Sequence, residues 1–293
     1  MNLKALIFGS NGQDGYFLTK LLKSNNIEVI GSSRINSHYN GKVDDLIFVE
    51  ELIKKIKPDY IFHFAANSTT SHLALFENHS AISTGTINIL ETTRKFSPKS
   101  RIFLSGSAMQ FKNEGLPINE KTPFEAKSPY SFSRIHSVYI ARYYREAFGL
   151  NIFIGYFFNH DSMLRSEKHI NMKIAQFAKK ISQGSDEKLV IGNIDVKKEY
   201  NYAEDIVEAV WILINQNKYN EVVIGSGKSY SILDWTKSCF DKIGKKWEDY
   251  VLLDNKYTPE YKILVSNPEL IFSLGWTPKT DFNKLVNLMM DIQ

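Results

Sequence analysis

Three glycines spaced three apart, Gly9, Gly12 and Gly15, separate an apolar run from an amphipathic one, and no other feature limits the fold as tightly. Leu3 to Phe8 reads as a buried strand. Phe17, Leu18, Leu21 and Leu22 recur at helical spacing just after the last glycine. A strand that turns on glycine into a helix is the phosphate-binding unit of a doubly wound sheet. The first glycine permits the tight turn, the second lets backbone approach a pyrophosphate, and the third lets helix and strand pack closely. Amides at the helix start and the helix dipole then favour negative charge. The turn from Gly9 to Gly15, with Gln13 and Asp14 in it, is the expected cofactor phosphate site.

The pattern repeats along the chain. A strand over Glu28–Gly31 ends at Ser32, Ser33 and Arg34. A weak strand is expected near Leu46–Val49, then a helix around Glu50–Ile56 stopped by Pro58. Tyr60 to Ala66 reads as a buried parallel strand, residues 82–95 as a helix and Arg101–Ser105 as a strand. Ser128 in cap position and Pro129 in the first turn open a long helix to Phe148, and Asn151 to Phe158 is again strand-like. This alternation predicts an α/β fold with a doubly wound parallel (Rossmann) sheet over residues 1–158. Residues 159–293 change character. Helices near 170–183, 204–216 and 231–243 alternate with short strands at 189–191 and 222–224, which reads as a smaller C-terminal substrate lobe.

An acidic residue at the end of the second strand would favour NAD by binding the ribose. Arg34 stands there instead, where it can pair with a 2′-phosphate, so NADP is the expected cofactor and NAD the alternative. A solvated loop arginine is the bland reading of the same residue. Composition excludes other classes. The 36 basic and 32 acidic side chains form no dense block, so no nucleic-acid partner is expected. The single cysteine, Cys239, cannot form an intrachain disulfide. No apolar run is long enough to span a membrane, and the N-terminus lacks a secretory layout; a cytoplasmic protein is expected. The histidines show no metal-ligand spacing, so no metal is expected, and His63 reads as a packed core residue.

Tyr130 and Arg134 lie four apart on the long helix and share a face. Ser107 follows a strand whose carboxyl end should face the cofactor crevice. A hydroxyl, a phenol and a cation converging there suit carbonyl/alcohol redox chemistry: the phenol moves the hydroxyl proton, and a neighbouring cation stabilises a phenolate. A solvated Tyr–Arg pair on a helix surface is the competing reading.

These residues together resemble the extended short-chain dehydrogenase/reductase family, in its nucleotide-sugar epimerase/dehydratase group. The resemblance rests on the glycine turn, Phe64-Ala65-Ala66, the strand end with Ser107, and Ser128-Pro129-Tyr130 in a Tyr-x-x-x-Lys frame. Similarity to the GDP-mannose 4,6-dehydratases extends it through Gly12-Gln-Asp-Gly15, Phe158-Asn-His-Asp-Ser162, Leu189–Asp195, Tyr202–Val207 and Gly275-Trp-Thr-Pro278. The resemblance implies Ala65 and Ala66 against the cofactor, Ser107 and Tyr130 as catalytic hydroxyls, and Asn159, Lys173 and Lys198 at a nucleotide-diphosphate sugar. It also implies a homodimer formed through helices near 82–95 and 131–148, where Ile135, Val138, Ile140 and Tyr144 supply apolar surface.

Two departures separate the chain from the dehydratases. Arg134 replaces the family's lysine; it keeps the charge but cannot relay a proton. Met109, or Ala108 if the alignment shifts by one, stands where the resemblance places the acid of a dehydratase, and neither side chain can remove water across C5–C6 of a 4-ketosugar. Glu114, Glu120 and Glu125 follow it without an assigned place. The expected activity is therefore reduction of a 4-keto sugar nucleotide, possibly GDP-linked. Epimerase and 4,6-dehydratase are the alternatives, and a non-catalytic sugar-nucleotide-binding protein is the alternative class, kept open by Arg134.

Overall fold

The computed structural model describes residues 3–254 and 258–291. Seven strands form one parallel sheet: β1 (Lys4–Phe8), β2 (Glu28–Ser33), β3 (Tyr39–Asn40), β4 (Tyr60–His63), β5 (Arg101–Ser107), β6 (Asn151–Phe157) and β11 (Glu221–Ile224). Their spatial order is β11-β6-β5-β4-β1-β2-β3. β4 and β5 are apolar on both faces because helices cover both sides of the sheet. Against it pack α1 (Gln13–Ser24), α2 (Leu46–Ile56), α4 (Gly85–Phe96), α5 (Pro129–Phe148) and α7 (Ala203–Ile214), with α3 (Leu75–Asn78) and a π-helical turn (His79–Thr84) leading into α4.

The weak strand expected at Leu46–Val49 is instead the first turn of α2. Asp45 caps that helix, accepting from the backbone N–H of Ile47 at 3.0 Å and Phe48 at 3.2 Å. A cap of this kind is worth about 1 kcal/mol, and it overrides the strand preference of Ile47 and Val49. α5 begins and ends where the sequence places it. Ser128 accepts from Ser131 N–H at 3.2 Å, and Gly149 closes the helix at φ +66°.

The smaller strands are β7 (His160–Asp161), β8 (Leu189–Ile191), β9 (Lys197–Glu199), β10 (Asn201–Tyr202) and β12 (Ser229–Ser231), accompanied by α6 (Ile170–Ser182) and α8 (Ile232–Asp241). Residue 158 does not divide the molecule cleanly. After building part of the lobe the chain returns to the sheet, where β11 pairs with β6 and α7 packs on α1. Buried Glu199 ties this crossing together. Its carboxylate accepts from the backbone N–H of Ser226 and Ser266, at 2.6 Å each, and from the Ser266 hydroxyl.

The apolar faces expected to pair two copies are also redistributed. Val138 and Tyr144 are buried in this chain's own core, while Tyr139, Tyr143 and Ile87 are exposed along α5 and α4. Among the described residues no helix is long and apolar enough to cross a membrane.

Candidate active site

Two cavities meet at the carboxyl ends of β1, β4 and β5. The first, about 580 Å³, is lined by the glycine turn, the end of β2, residues 41–44 and Phe64 to Asn67. The second, about 800 Å³, runs from Gly12 to the lobe and includes Ser107, Tyr130, Asn159 and Lys198.

Backbone geometry builds the first cavity. Gly9 sits at φ +88°, and a Cβ there would fall 2.7 Å from Ala65 N. A Cβ at Gly15 would lie 2.5 Å from Gly9 O, so Gly15 is reserved for helix–strand packing. Gly12 differs: a Cβ there would meet Gly9 O at 3.4 Å, a contact that needs little adjustment. Its missing side chain serves the cavities, both of which it lines. Gly12 is also the N-cap of α1 and makes no side-chain cap bond, so the first helical amides are left for an anion. The turn thus fits the pyrophosphate of a dinucleotide.

Side chains build the second cavity. Ser107 ends β5 and caps the short turn at 108–110: its Oγ accepts from Met109 N–H at 3.2 Å, which leaves its own proton free to point elsewhere. Tyr130 is half-buried in the first turn of α5. One turn later Arg134 is buried, its guanidinium carbon 5.2 Å from the Tyr130 ring centroid. Arg134 Nη1 donates to the carbonyl of Ser105 and, at 2.8 Å, to its Oγ. Ser105 Oγ in turn donates to the His63 carbonyl at 2.9 Å. The longer arginine is therefore anchored on β5 beneath the phenol. His63 is a buried core residue, as its sequence context predicts. Burial, helped by Arg134, pushes its pKa down to about 3, so a neutral imidazole lies beside the guanidinium.

Buried His160 and half-buried Asp14 form a pair that joins the glycine turn to the lobe. His160 Nε2 lies 3.0 Å from Asp14 Oδ1, and Nδ1 lies 2.8 Å from the Phe158 carbonyl. Burial alone would raise the Asp14 pKa, but facing His160 overrides it and the net shift is downward. Burial likewise opposes the charged form of His160, and Asp14 overrides it, so the pKa rises. Two acceptors without protons require both ring nitrogens to donate, which makes His160 an imidazolium. Next to it Gln13 Oε1 accepts from Ser162 Oγ at 3.0 Å. Sequence reading treated His160 as unremarkable; its place in the Phe158–Ser162 motif was the available signal.

Cations collect at the lobe end of the cleft. Lys198 is 7% exposed, and burial drives its pKa down to about 8, with Arg165 adding to the fall and Asp161 opposing it. Arg165 and Lys168 line the same wall, as does His169, which burial holds neutral with a pKa near 4. Sequence reading missed Arg165, Lys168 and His169, because nothing in their local pattern separates them from a solvated loop. Lys173 lies apart from this group, exposed on α6 and outside the lining of either cavity. Gly9, Arg34 and Ala65 line the first cavity; Gln13, Asp14, Ser107, Tyr130, Arg134, Asn159 and Lys198 the second; Gly12 and Ala66 both.

Met109 lines the second cavity, close in sequence to Ser107. Glu114, Glu120 and Glu125 lie outside the lining of this cavity and have partners elsewhere. Glu114 pairs with Lys112 at 2.7 Å, Glu125 pairs with Lys127 at 2.7 Å, and Glu120 accepts from Val223 N–H at 2.7 Å. The carboxylates that do line the cleft are Asp14 and, from the lobe, Glu260, which accepts from the Thr70 hydroxyl. Among the described residues no group of three His, Cys, Asp or Glu could hold a metal ion.

Comparison with known proteins places this arrangement. The chain is 30% identical over 319 aligned positions to GDP-mannose 4,6 dehydratase 1 of Arabidopsis thaliana, covering 98% of this chain and 88% of that one. Its fold matches the UDP-glucose 4-epimerase of Thermotoga maritima solved with UDP-glucose, with a TM-score of 0.88, 17% identity and coverage of 99% and 98%. It matches RMD from Pseudomonas aeruginosa, solved with NADPH, equally well, with a TM-score of 0.88, 16% identity and the same coverage. A family model for GDP-mannose 4,6 dehydratase matches residues 6–289, so the chain belongs to the GDP-mannose 4,6-dehydratase family.

Proposed function

We propose that the protein is a reductase of a 4-keto sugar nucleotide, GDP-linked in keeping with its family, with NADP at the glycine turn. The observation that carries this reading is Met109: the cleft keeps the hydroxyl and phenol needed at a carbonyl, and two residues after Ser107 it holds a thioether, which cannot serve as the acid of a dehydration. The turn at Gly9–Gly15 takes the pyrophosphate, with Arg34, Ala65 and Ala66 along the rest of the dinucleotide. Bound NADPH supplies the hydride. Ser107 donates to the ketone oxygen and polarises it, and Tyr130 delivers the proton to the oxygen as it becomes an alcohol. Arg134, fixed by Ser105, keeps a positive charge under the Tyr130 ring. Lys198, with Arg165 and Lys168, provides a cationic wall for the diphosphate, and Asn159 lies between the two ends.

The experiment is incubation of the purified protein with a GDP-linked 4-keto-6-deoxy hexose and NADPH. Loss of NADPH absorbance with formation of a 4-hydroxy product supports the reading. A 4-keto-6-deoxy product from GDP-mannose and NADP overturns it in favour of dehydration, and epimer formation without net cofactor use points to an epimerase. A second reading, a non-catalytic sugar-nucleotide binder, is favoured by one observation: Arg134 is committed to Ser105. It prevails if the wild type turns over no ketosugar and Arg134→Lys does.

The exposed Tyr139, Tyr143 and Ile87 support a second proposal, a homodimer through α4 and α5, tested by sedimentation of wild type against Tyr139→Glu. A cytoplasmic location is proposed from the composition.

A further inference from the structure

The first cavity contains a charge pair that the cofactor reading leaves unexplained. Arg34 Nη1, at the end of β2, lies 2.9 Å from Glu77 Oε1 on α3. The other oxygen, Glu77 Oε2, accepts from Asn67 Nδ2 at 2.9 Å. Arg34, Asn67 and Glu77 all line the cavity, so the guanidinium placed to meet a 2′-phosphate already has a carboxylate partner there. The lining side chains include two cations, Arg34 and Lys42, and two carboxylates, Asp44 and Glu77. Their charges sum to zero, with no surplus for an incoming phosphate.

We propose that Glu77 competes with the 2′-phosphate of NADP for Arg34 and thereby sets the balance between NADP and NAD. The inference rests on the reading that this cavity holds the dinucleotide. A carboxylate and a phosphate both engage guanidinium through the same fork of N–H donors, so occupancy by one works against the other. Asn67 holds Glu77 in place, so a displaced carboxylate stays near the phosphate and repels it. NAD carries a hydroxyl at the same position, which can donate to Glu77 and meets no repulsion. The pair is solvated, with side chains 73% and 44% exposed, and solvated ion pairs are weak. Exchange is therefore possible, and the two cofactors should bind within about tenfold of each other.

The test is calorimetric titration of nucleotide-stripped protein with NADP and, separately, NAD, for wild type, Glu77→Gln and Arg34→Ala. Glutamine keeps a carbonyl that accepts from Asn67 while removing the charge. Glu77→Gln should tighten NADP about tenfold and change NAD by less than about twofold; Arg34→Ala should weaken NADP about tenfold and spare NAD. An unchanged NADP-to-NAD ratio in Glu77→Gln, with both nucleotides binding, overturns the competition but not the cavity's role. If neither dinucleotide binds any of the three proteins, the cofactor reading falls, and this inference with it.

Discussion

The two cavities share Gly12 and a wall, yet they are built on different principles. The phosphate turn of the first is formed by backbone from consecutive residues: a glycine at positive φ, a glycine pressed against the strand, and a helix start left uncapped. The second is formed by side chains from well-separated segments: Asp14, Ser107, Tyr130 with Arg134, His160 and Lys198. A turn built from backbone tolerates few substitutions, because a Cβ at Gly9 or Gly15 has no room. A side-chain site can exchange one member while the scaffold stays intact, and the proposed function assigns that role to Met109 and Arg134. Within one family, chemistry can thus change at the second cavity without disturbing the first.

The largest expected effect separates chemistry from binding. Tyr130→Phe should lower kcat for ketosugar reduction by about 10²–10⁴-fold and leave dinucleotide affinity unchanged. Steady-state kinetics and nucleotide titration check this, and an equal loss of both would erase the distinction between the cavities.

Next come two changes at the junction. Gly15→Val forces a Cβ to within 2.5 Å of Gly9 O and should destabilise the fold by about 3 kcal/mol. Gly12→Ala meets no such obstacle, and should keep the melting temperature while weakening dinucleotide binding. If Gly12→Ala binds normally, close backbone approach is not what the middle glycine provides.

His160→Gln should cost about 2 kcal/mol at neutral pH, because it takes the charged partner from the partly covered Asp14 carboxylate. The pH profile carries a sign. His160 is raised above its ordinary 6.5, so its stabilisation is fully present below that value and is lost as pH climbs through the raised one. Asp14 is lowered from 3.8, so its stabilisation is present above 3.8 and lost as pH falls through the lowered value. Chemical denaturation across pH should show both losses in the wild type and a flatter profile in His160→Gln.

The smallest effects compare two lysines that sequence reading treated alike. Lys198→Met should weaken GDP binding about tenfold. In the wild type that affinity should decline as pH rises past about 8, where Lys198 loses its proton. Lys173→Met, on the exposed face of α6, should change it by less than about twofold. Equal effects from the two would mean that the cationic wall is not where the diphosphate binds.

Legibility follows the same division. The glycine turn and α5 could be read directly, because spacing, capping and periodicity are local and act within a few residues. α2 was misread at its first turn, where a single Asp45 side chain decides between helix and strand. The Asp14–His160 pair, and Arg165, Lys168 and His169 beside Lys198, are not legible in the sequence because they meet their partners only when β6 and the lobe fold over the glycine turn.

By itself, then, the sequence determined the doubly wound sheet and its glycine turn, and it nominated Ser107 and Tyr130 as the hydroxyls of the proposed reaction, since each reading depends on local backbone preference or on one residue's chemistry. Tertiary structure alone decided that Arg34 is already paired to Glu77, that Arg134 is anchored on Ser105, that Glu114, Glu120 and Glu125 lie outside the cleft beside Met109, and that Lys198 lines the cleft while Lys173 does not. The physical reason is that charge pairing and burial depend on distance in space, which the order of residues along the chain does not specify.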